Sequence, residues 1–459
     1  MTQFLSTNEI RSLFAATLSD MYRDEVPLYG DLIDLVRDVN AQTLEQNPKL
    51  HQQLEAAGEL GRLDVERHGA IRVGTAAELS MIRRMFAVMG MVPVGYYDLS
   101  VAGIPVHSTA FRPIDAAALK QNPFRVFCSL LRLDLVEDRA LAATAAQVLS
   151  KRQIVTPEAM VQIDRFETAG GLTRTEAEAF VTAALETFRW HAEATVDQAT
   201  YEQLHAAHRL IADVVSFKGP HINHLTPRTL DIDAVQAEMP KRGIDPKAIV
   251  EGPARRTADI LLRQTSFKAL QEQVSFSGSP GTHTARFGEI EQRGIAVTPK
   301  GRALYDDCLS RTRARAKVGP AGESAAAYVA ALGEEFERFP DGYTAMRQQG
   351  LGYFQYRAVS DQLDVDFASI DALIDGGHLA ADPQTYEDFL PVSAAGIFQS
   401  NLGSDKQSTY CAAANQAAFE EALGAAVTDA DALYAATEAH SLTQALTALG
   451  QTHLITAPD

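Results

Sequence analysis

Two stretches of this sequence follow one plan: a short alternating strand carrying a histidine, a helix of roughly three to four turns stopped by glycine, then further strands. In the first, ERHGAIRVG leads into TAAELSMIRRMFAVMG, with Thr75 as N-cap and Gly90 as the stop. MVPVGYYDLS and AGIPVHSTAFR follow as strands, joined by a small-residue turn near Gly103. In the second, HINHLT precedes LDIDAVQAEMPKRG, ILLRQTSFKAL and TARFGEIEQRG, so that His224 stands before Gly243 much as His68 stands before Gly90. A degenerate repeat on this scale predicts an α+β chain built from two βαβββ units.

The rest of the chain is arranged around that pair. Residues 1–60 are a helical segment, 61–114 the first unit, 115–216 a helical insertion, 217–300 the second unit, and 301–459 a mixed, mostly helical region. Within the insertion, Thr173 with Glu176 and Thr200 with Gln203 each have the spacing of a capping box. Thr298 followed by Pro299 marks another helix start.

No apolar run approaches the roughly 20 residues that span a bilayer, and the N-terminus reads as an amphipathic helix rather than a signal peptide. Cys128, Cys308 and Cys411 are odd in number and far apart, which predicts a reducing, cytoplasmic setting without a disulfide framework. A net charge of −18 excludes a nucleic-acid partner and requires a local cation for any anionic substrate. Oligomeric state has no signal here.

FGEIEQRG is the most unusual strand. Side chains alternate with period two, so Glu289, Glu291 and Arg293 share a face while Phe287 and Ile290 suit a core. The carboxylates are spaced by roughly 7 Å along the strand, so one can ligate an ion while the other holds a ligand. An ordinary surface Glu–Arg pair is the plain alternative. On the first strand His68, Ala70 and Arg72 share a face, which presents a metal ligand and an anion clamp together. His221 and His224, three apart, fall on opposite faces of a regular strand, and periodicity does not choose between them.

These segments carry a resemblance. The paired units look like the vicinal oxygen chelate superfamily, whose modules curl into a cup around a divalent metal. FGEIEQRG resembles the iron-binding strand of 4-hydroxyphenylpyruvate dioxygenase-type enzymes, which implies Glu289 as ligand and not Glu291. NHLT is similar to the superfamily strand that selects His224 over His221, and HGAIRV supplies His68. Through ERHGAIRVGTAAEL, GMVPVGYYDLS, HSTAFRPI, GPHINHLTPRTLDID, TARFGEIEQRG with TPKGRALYD, and FLPVSAAGIF, the whole chain resembles the 2-oxoadipate dioxygenase/decarboxylase family, also called hydroxyglutarate synthase.

The resemblance implies two vicinal-oxygen-chelate-like modules forming a curved sheet around a metal, with a large helical insertion and helical flanks. It also implies Fe(II), O2 and a 2-oxo acid as reactants, with 2-oxoadipate giving D-2-hydroxyglutarate and CO2 in lysine catabolism. A 2-His-1-carboxylate set of His68, His224 and Glu289 suits that chemistry. Arg72 is assigned to the substrate's distal carboxylate because its guanidinium fork fixes charge and orientation together. Substrate contacts are also expected at His68 and His224, and the family's turn over the site implies further ones at Val392 and Ser393. Alternatives are a Zn(II) or Mn(II) lyase or isomerase, a dioxygenase for another 2-oxo acid, or a non-enzymatic scaffold. His107 is a possible extra ligand. His205 and His208 are expected to pack or face solvent, and His283 to lie in a mobile Gly- and Ser-rich turn.

Overall fold

Several helices begin where the sequence offers a capping group. A computed structural model describes residues 3–267, 269–284, 286–318, 322–390 and 409–455. In it Thr75 caps Ala76–Val88, Thr173 and Glu176 form the box that opens Arg174–Leu185, and Thr298 caps Pro299–Arg315. One boundary differs. Gln198–Ala207 is capped by Asp197, whose side chain accepts from the Thr200 N–H, so Thr200 lies inside the helix.

The α+β chain divides into two compact units. One comprises Met1–Glu251, Gln264–Gln292 and Asp388–Thr428; the other comprises Gly252–Arg263, Arg293–Glu387 and Asp429–Asp459. The second unit contains the hairpin Phe354–Ala358 with Leu379–Pro383 and the helices Pro299–Arg315, Ala325–Phe336 and Ala430–Ala448. Among the described residues, no helix is long and apolar enough to cross a membrane.

The first unit holds the main sheet. Its strands are β1 (Arg67–Val73), β2 (Val92–Asp98), β3 (Val106–Arg112), β4 (Arg125–Leu131) and β5 (Leu225–Pro227), in the order β2-β3-β4-β1-β5. β1 pairs parallel with β4 and antiparallel with β5. β4 falls within the stretch expected to be helical insertion. Its sequence, RVFCSLL, is a nearly continuous apolar run because both its faces are buried, and such a run lacks the alternation by which half-buried strands are recognised. The first βαβββ unit therefore closes only at Leu131, and the helices from Arg139 to Ser216 follow it.

The second copy is looser. Of HINHLT only Leu225 and Thr226 are strand, opening Leu225–Pro227, and residues 221–224 are irregular. After the helix Ile232–Glu238 come β6 (Leu262–Ser266), β7 (Gln271–Phe276), β8 (Ser279–Thr284) and β9 (Glu289–Arg293). β7 pairs antiparallel with β8, and β9 pairs with β6. A parallel bridge between Arg228 and Glu291, with the Thr229 N–H donating to the Glu291 carbonyl at 2.7 Å, sets β9 beside the end of β5. A second continuous sheet matching the first is not seen among the described residues.

Backbone contacts then draw three distant segments together. The Asn223 N–H donates to the Ala70 carbonyl at 3.0 Å, and the Phe287 N–H to the Asn223 carbonyl at 3.1 Å. The Tyr22 hydroxyl, from the helix Thr7–Glu25, lies 2.8 Å from the Phe287 carbonyl and 3.1 Å from that of Asn223. Gly69 makes the approach possible: a Cβ there would sit 2.5 Å from Ile222 Cδ1 and 3.0 Å from the His224 carbonyl.

Candidate metal centre

The ends of β1, β5 and β9 meet at one buried point. Ligand atoms of His68, His224 and Glu289 all lie within 4.8 Å of one another, and all three side chains are buried. His68 comes from β1, His224 from the irregular segment just before β5, and Glu289 from the first position of β9. Phe389 meets the His68 ring edge-on at 5.0 Å between centroids, and Phe287 stacks on His224 at 4.8 Å. These rings exclude water, and the low polarity strengthens every charge interaction inside.

Each imidazole is oriented by a partner on its far nitrogen. His224 Nδ1 lies 2.9 Å from Thr226 Oγ1, whose hydroxyl donates to Glu289 Oε1 at 3.2 Å. That direction makes His224 Nδ1 the donor and leaves a lone pair on Nε2. His224 Nε2 is buried with no hydrogen-bond partner among the described residues, which is costly unless something else takes its lone pair. His68 Nδ1 lies 2.9 Å from Glu291 Oε2, and its Nε2 lies 3.1 Å from Glu289 Oε1. Gln264 Nε2 donates to the same Glu289 oxygen at 2.8 Å.

Glu289 and Glu291 thus share the face expected of them, and one histidine separates their roles. Glu289 faces the convergence point, while Glu291 faces the back of His68 and lies 3.6 Å from Arg125 Nη1. Arg293 Nη1 donates to the Tyr386 carbonyl at 2.7 Å.

Protonation follows the surroundings. Burial pushes His224 down to about 4, so it is uncharged and ready to ligate at neutral pH. Burial also pulls His68 down, but Glu291 and Glu289 more than offset it and hold that imidazole above its ordinary value. Burial raises Glu289, and His224 and His68 outweigh it, so the carboxylate lies below its usual range. Two imidazoles and an ionised carboxylate, with His224 Nε2 buried and unsatisfied among the described residues, form a donor set that fits a divalent first-row metal.

The other sequence-derived candidates lie elsewhere. His221 Nε2 is 3.3 Å from Asp213 Oδ1 and packs edge-on against Trp190. His221→Ala is therefore expected to keep a full complement of metal while losing about 1 kcal/mol of stability. Metal analysis of the purified variant checks this, and a metal-free protein would move the ligand assignment to His221. His107 packs between Tyr96 and Phe419, and burial pushes it down to about 4. His208 caps the helix Arg209–Ser216. Val392 and Ser393 lie outside the described residues.

Arg72 is buried, and its Nη1 donates to Asp213 Oδ2 at 2.8 Å. His283, expected in a mobile turn, is instead buried in β8 and hydrogen-bonded to Asp213. The sequence reading missed Asp213, Thr226, Gln264 and Arg125. For Asp213 there was a signal, since a lone carboxylate within the apolar run LIADVV needs buried partners.

Known proteins resemble this chain along most of its length. The family described as 2-oxoadipate dioxygenase/decarboxylase matches residues 14–401. The 2-oxoadipate dioxygenase/decarboxylase of Pseudomonas putida KT2440 is 57% identical over 447 residues, 96% of each chain. That of Escherichia coli K12 is 56% identical over 447 residues, covering 96% of this chain and 98% of its own. The crystal structure of the hydroxyglutarate synthase from Pseudomonas putida in complex with 2-oxoadipate superposes with a TM-score of 0.92 at 55% identity. It covers 98% of this chain and 100% of that one.

Proposed function

The chain belongs to the 2-oxoadipate dioxygenase/decarboxylase family, and on that footing we propose that it converts 2-oxoadipate and O2 into D-2-hydroxyglutarate and CO2 with Fe(II) held by His68, His224 and Glu289. The observation that carries this reading is the buried, mutually oriented pair of histidines and carboxylate, with the His224 Nε2 lone pair unmatched inside it.

Atoms balance in the reaction. The C1 carboxylate of 2-oxoadipate leaves as CO2, C2 becomes the new carboxylate, and C3 gains the hydroxyl, so both oxygen atoms of O2 are accounted for. Fe(II), held by His68, His224 and Glu289, would supply O2 activation beside the 2-oxo acid. The protein's own work is orientation and exclusion. Glu291 and Thr226 fix the two imidazoles, Gln264 and Thr226 fix the Glu289 carboxylate, and Phe389 and Phe287 keep water from the reacting end. His68 and His224 border the 2-oxo acid end.

Arg72 shares the strand face of His68 four residues away, and it anchors the distal carboxylate. This cation answers the repulsion that a −18 chain exerts on a dianionic substrate. Arg72→Lys is expected to raise KM for 2-oxoadipate about tenfold or more, a loss of about 1.4 kcal/mol, because an ammonium cannot reproduce the fork. Iron content should stay unchanged, and its loss would make Arg72 a structural residue instead. The setting proposed is lysine catabolism in the cytoplasm.

The test of the reaction is O2 consumption by Fe(II)-loaded protein, with and without 2-oxoadipate, with the product resolved on a chiral column. Stoichiometric O2 uptake with D-2-hydroxyglutarate is the expected result. Turnover that proceeds without O2, or with Zn(II) or Mn(II) in place of iron, would replace this reading with a lyase or isomerase.

A further inference from the structure

Behind Arg72 lies a cluster that the reaction as proposed does not use. Asp213, in the helix Arg209–Ser216, is buried, is hydrogen-bonded by Arg72 and His283, and lies beside His221. Arg72 Nη1 reaches its Oδ2 at 2.8 Å, while His283 Nε2 and His221 Nε2 lie 2.9 Å and 3.3 Å from its Oδ1. The Tyr201 hydroxyl meets His283 Nδ1 at 2.8 Å. Trp190 packs the assembly from one side, parallel to the His283 ring at 6.1 Å and perpendicular to the His221 ring at 4.7 Å. Tyr201 and His283 also line a cavity of about 410 Å³ together with His205 and Arg209.

We infer that Asp213, locked by His283 and His221, is a positioning residue that aims the Arg72 guanidinium at the substrate's distal carboxylate and so sets selectivity for dicarboxylic 2-oxo acids. This role rests on the proposed function, since it acts through Arg72. Three segments converge on one carboxylate, at residues 72, 221 and 283. A pairing required only for charge balance would need Arg72 and Asp213 alone. The histidines hold the other oxygen, so the carboxylate plane is fixed and the guanidinium inherits that plane. Burial raises the Asp213 pKa, but His221, His283 and Arg72 outweigh it and hold the group well below its usual range.

Asp213→Asn keeps the shape and breaks the logic. An amide has one acceptor and one donor end, and donors face Asp213 on both sides, so one contact turns into a donor–donor clash. The measurement is kcat/KM for 2-oxoadipate against 2-oxohexanoate, which lacks the distal carboxylate, together with iron content. Asp213→Asn is expected to lower the 2-oxoadipate/2-oxohexanoate preference by about 10- to 100-fold with iron unchanged. Tyr201→Phe should lower it in the same direction by a smaller factor, and it decides the matter if Asp213→Asn does not fold. A preference that stays constant in the folded variants, while both substrates decline together or not at all, shows a structural role and overturns the inference. A wild type that takes up no O2 with 2-oxoadipate overturns the proposed reaction, and this role falls with it.

Discussion

Glu289→Ala is expected to leave the protein without bound iron and without turnover, whereas Glu291→Gln retains the metal. The two carboxylates are two residues apart on one strand, equally buried, and both within 3.1 Å of the same imidazole. Their difference is positional. Glu289 lies among the ligand atoms, and deleting it removes the anionic member of the set as well as the acceptor for Thr226 and Gln264. Glu291 stands behind His68, where the glutamine still offers an oxygen to Nδ1 and does not strand Arg125 without an acceptor. Its expected cost is a weakening of iron affinity by about 10- to 100-fold, overcome by saturating iron. Metal stoichiometry after anaerobic Fe(II) loading, with circular dichroism to confirm folding, separates the outcomes. Equal iron retention in the two variants would refute the ligand assignment.

The same strand shows what can be read from a sequence. Period-two alternation placed Glu289 and Glu291 on one face because a strand's geometry is local, and β9 obeys it. It could not say that the face was buried, because burial of Glu291 depends on Arg125 in a strand more than a hundred residues earlier. β4 itself was hidden by its own burial. A strand covered on both sides loses its alternation, and RVFCSLL therefore read as part of a helical block. His283 was obscured differently. Gly and Ser around it signalled a turn, which does exist at Gly278, but the flanking residues Ser279–Thr284 pair fully with Gln271–Phe276. The choice between His221 and His224 was beyond periodicity, since residues 221–224 are not strand at all. The resemblance selected His224, and the geometry brings that histidine to His68 and Glu289 while His221 goes to Asp213.

The largest stability effect is expected at Glu66, which touches none of the ligands. It is fully buried, and both of its oxygens are shared. Oε1 accepts from Arg62 Nη2 at 3.1 Å and Arg125 Nη2 at 3.0 Å; Oε2 accepts from Arg62 Nε at 3.0 Å and Arg228 Nη1 at 3.2 Å. Three buried guanidinium groups thus meet at one carboxylate, with Glu59 contributing further negative charge to Arg62 and Arg228 and Glu291 to Arg125. Removing one member of a buried ion network costs more than the network contributes, because the remaining charges stay out of water without compensation. Glu66→Ala should therefore lose about 3–5 kcal/mol, read from the midpoint of urea unfolding. The double change Glu66→Met with Arg125→Met should recover part of that loss, since it removes opposite charges together. Arg125 links this cluster to the site. Freed from Glu66, its guanidinium is drawn toward Glu291 and competes for the oxygen that faces His68 Nδ1, so iron affinity should fall along with stability even at temperatures where Glu66→Ala remains folded. A variant that stays within about 0.5 kcal/mol of the wild type would mean that water reaches these arginines and screens them, as it does at a protein surface.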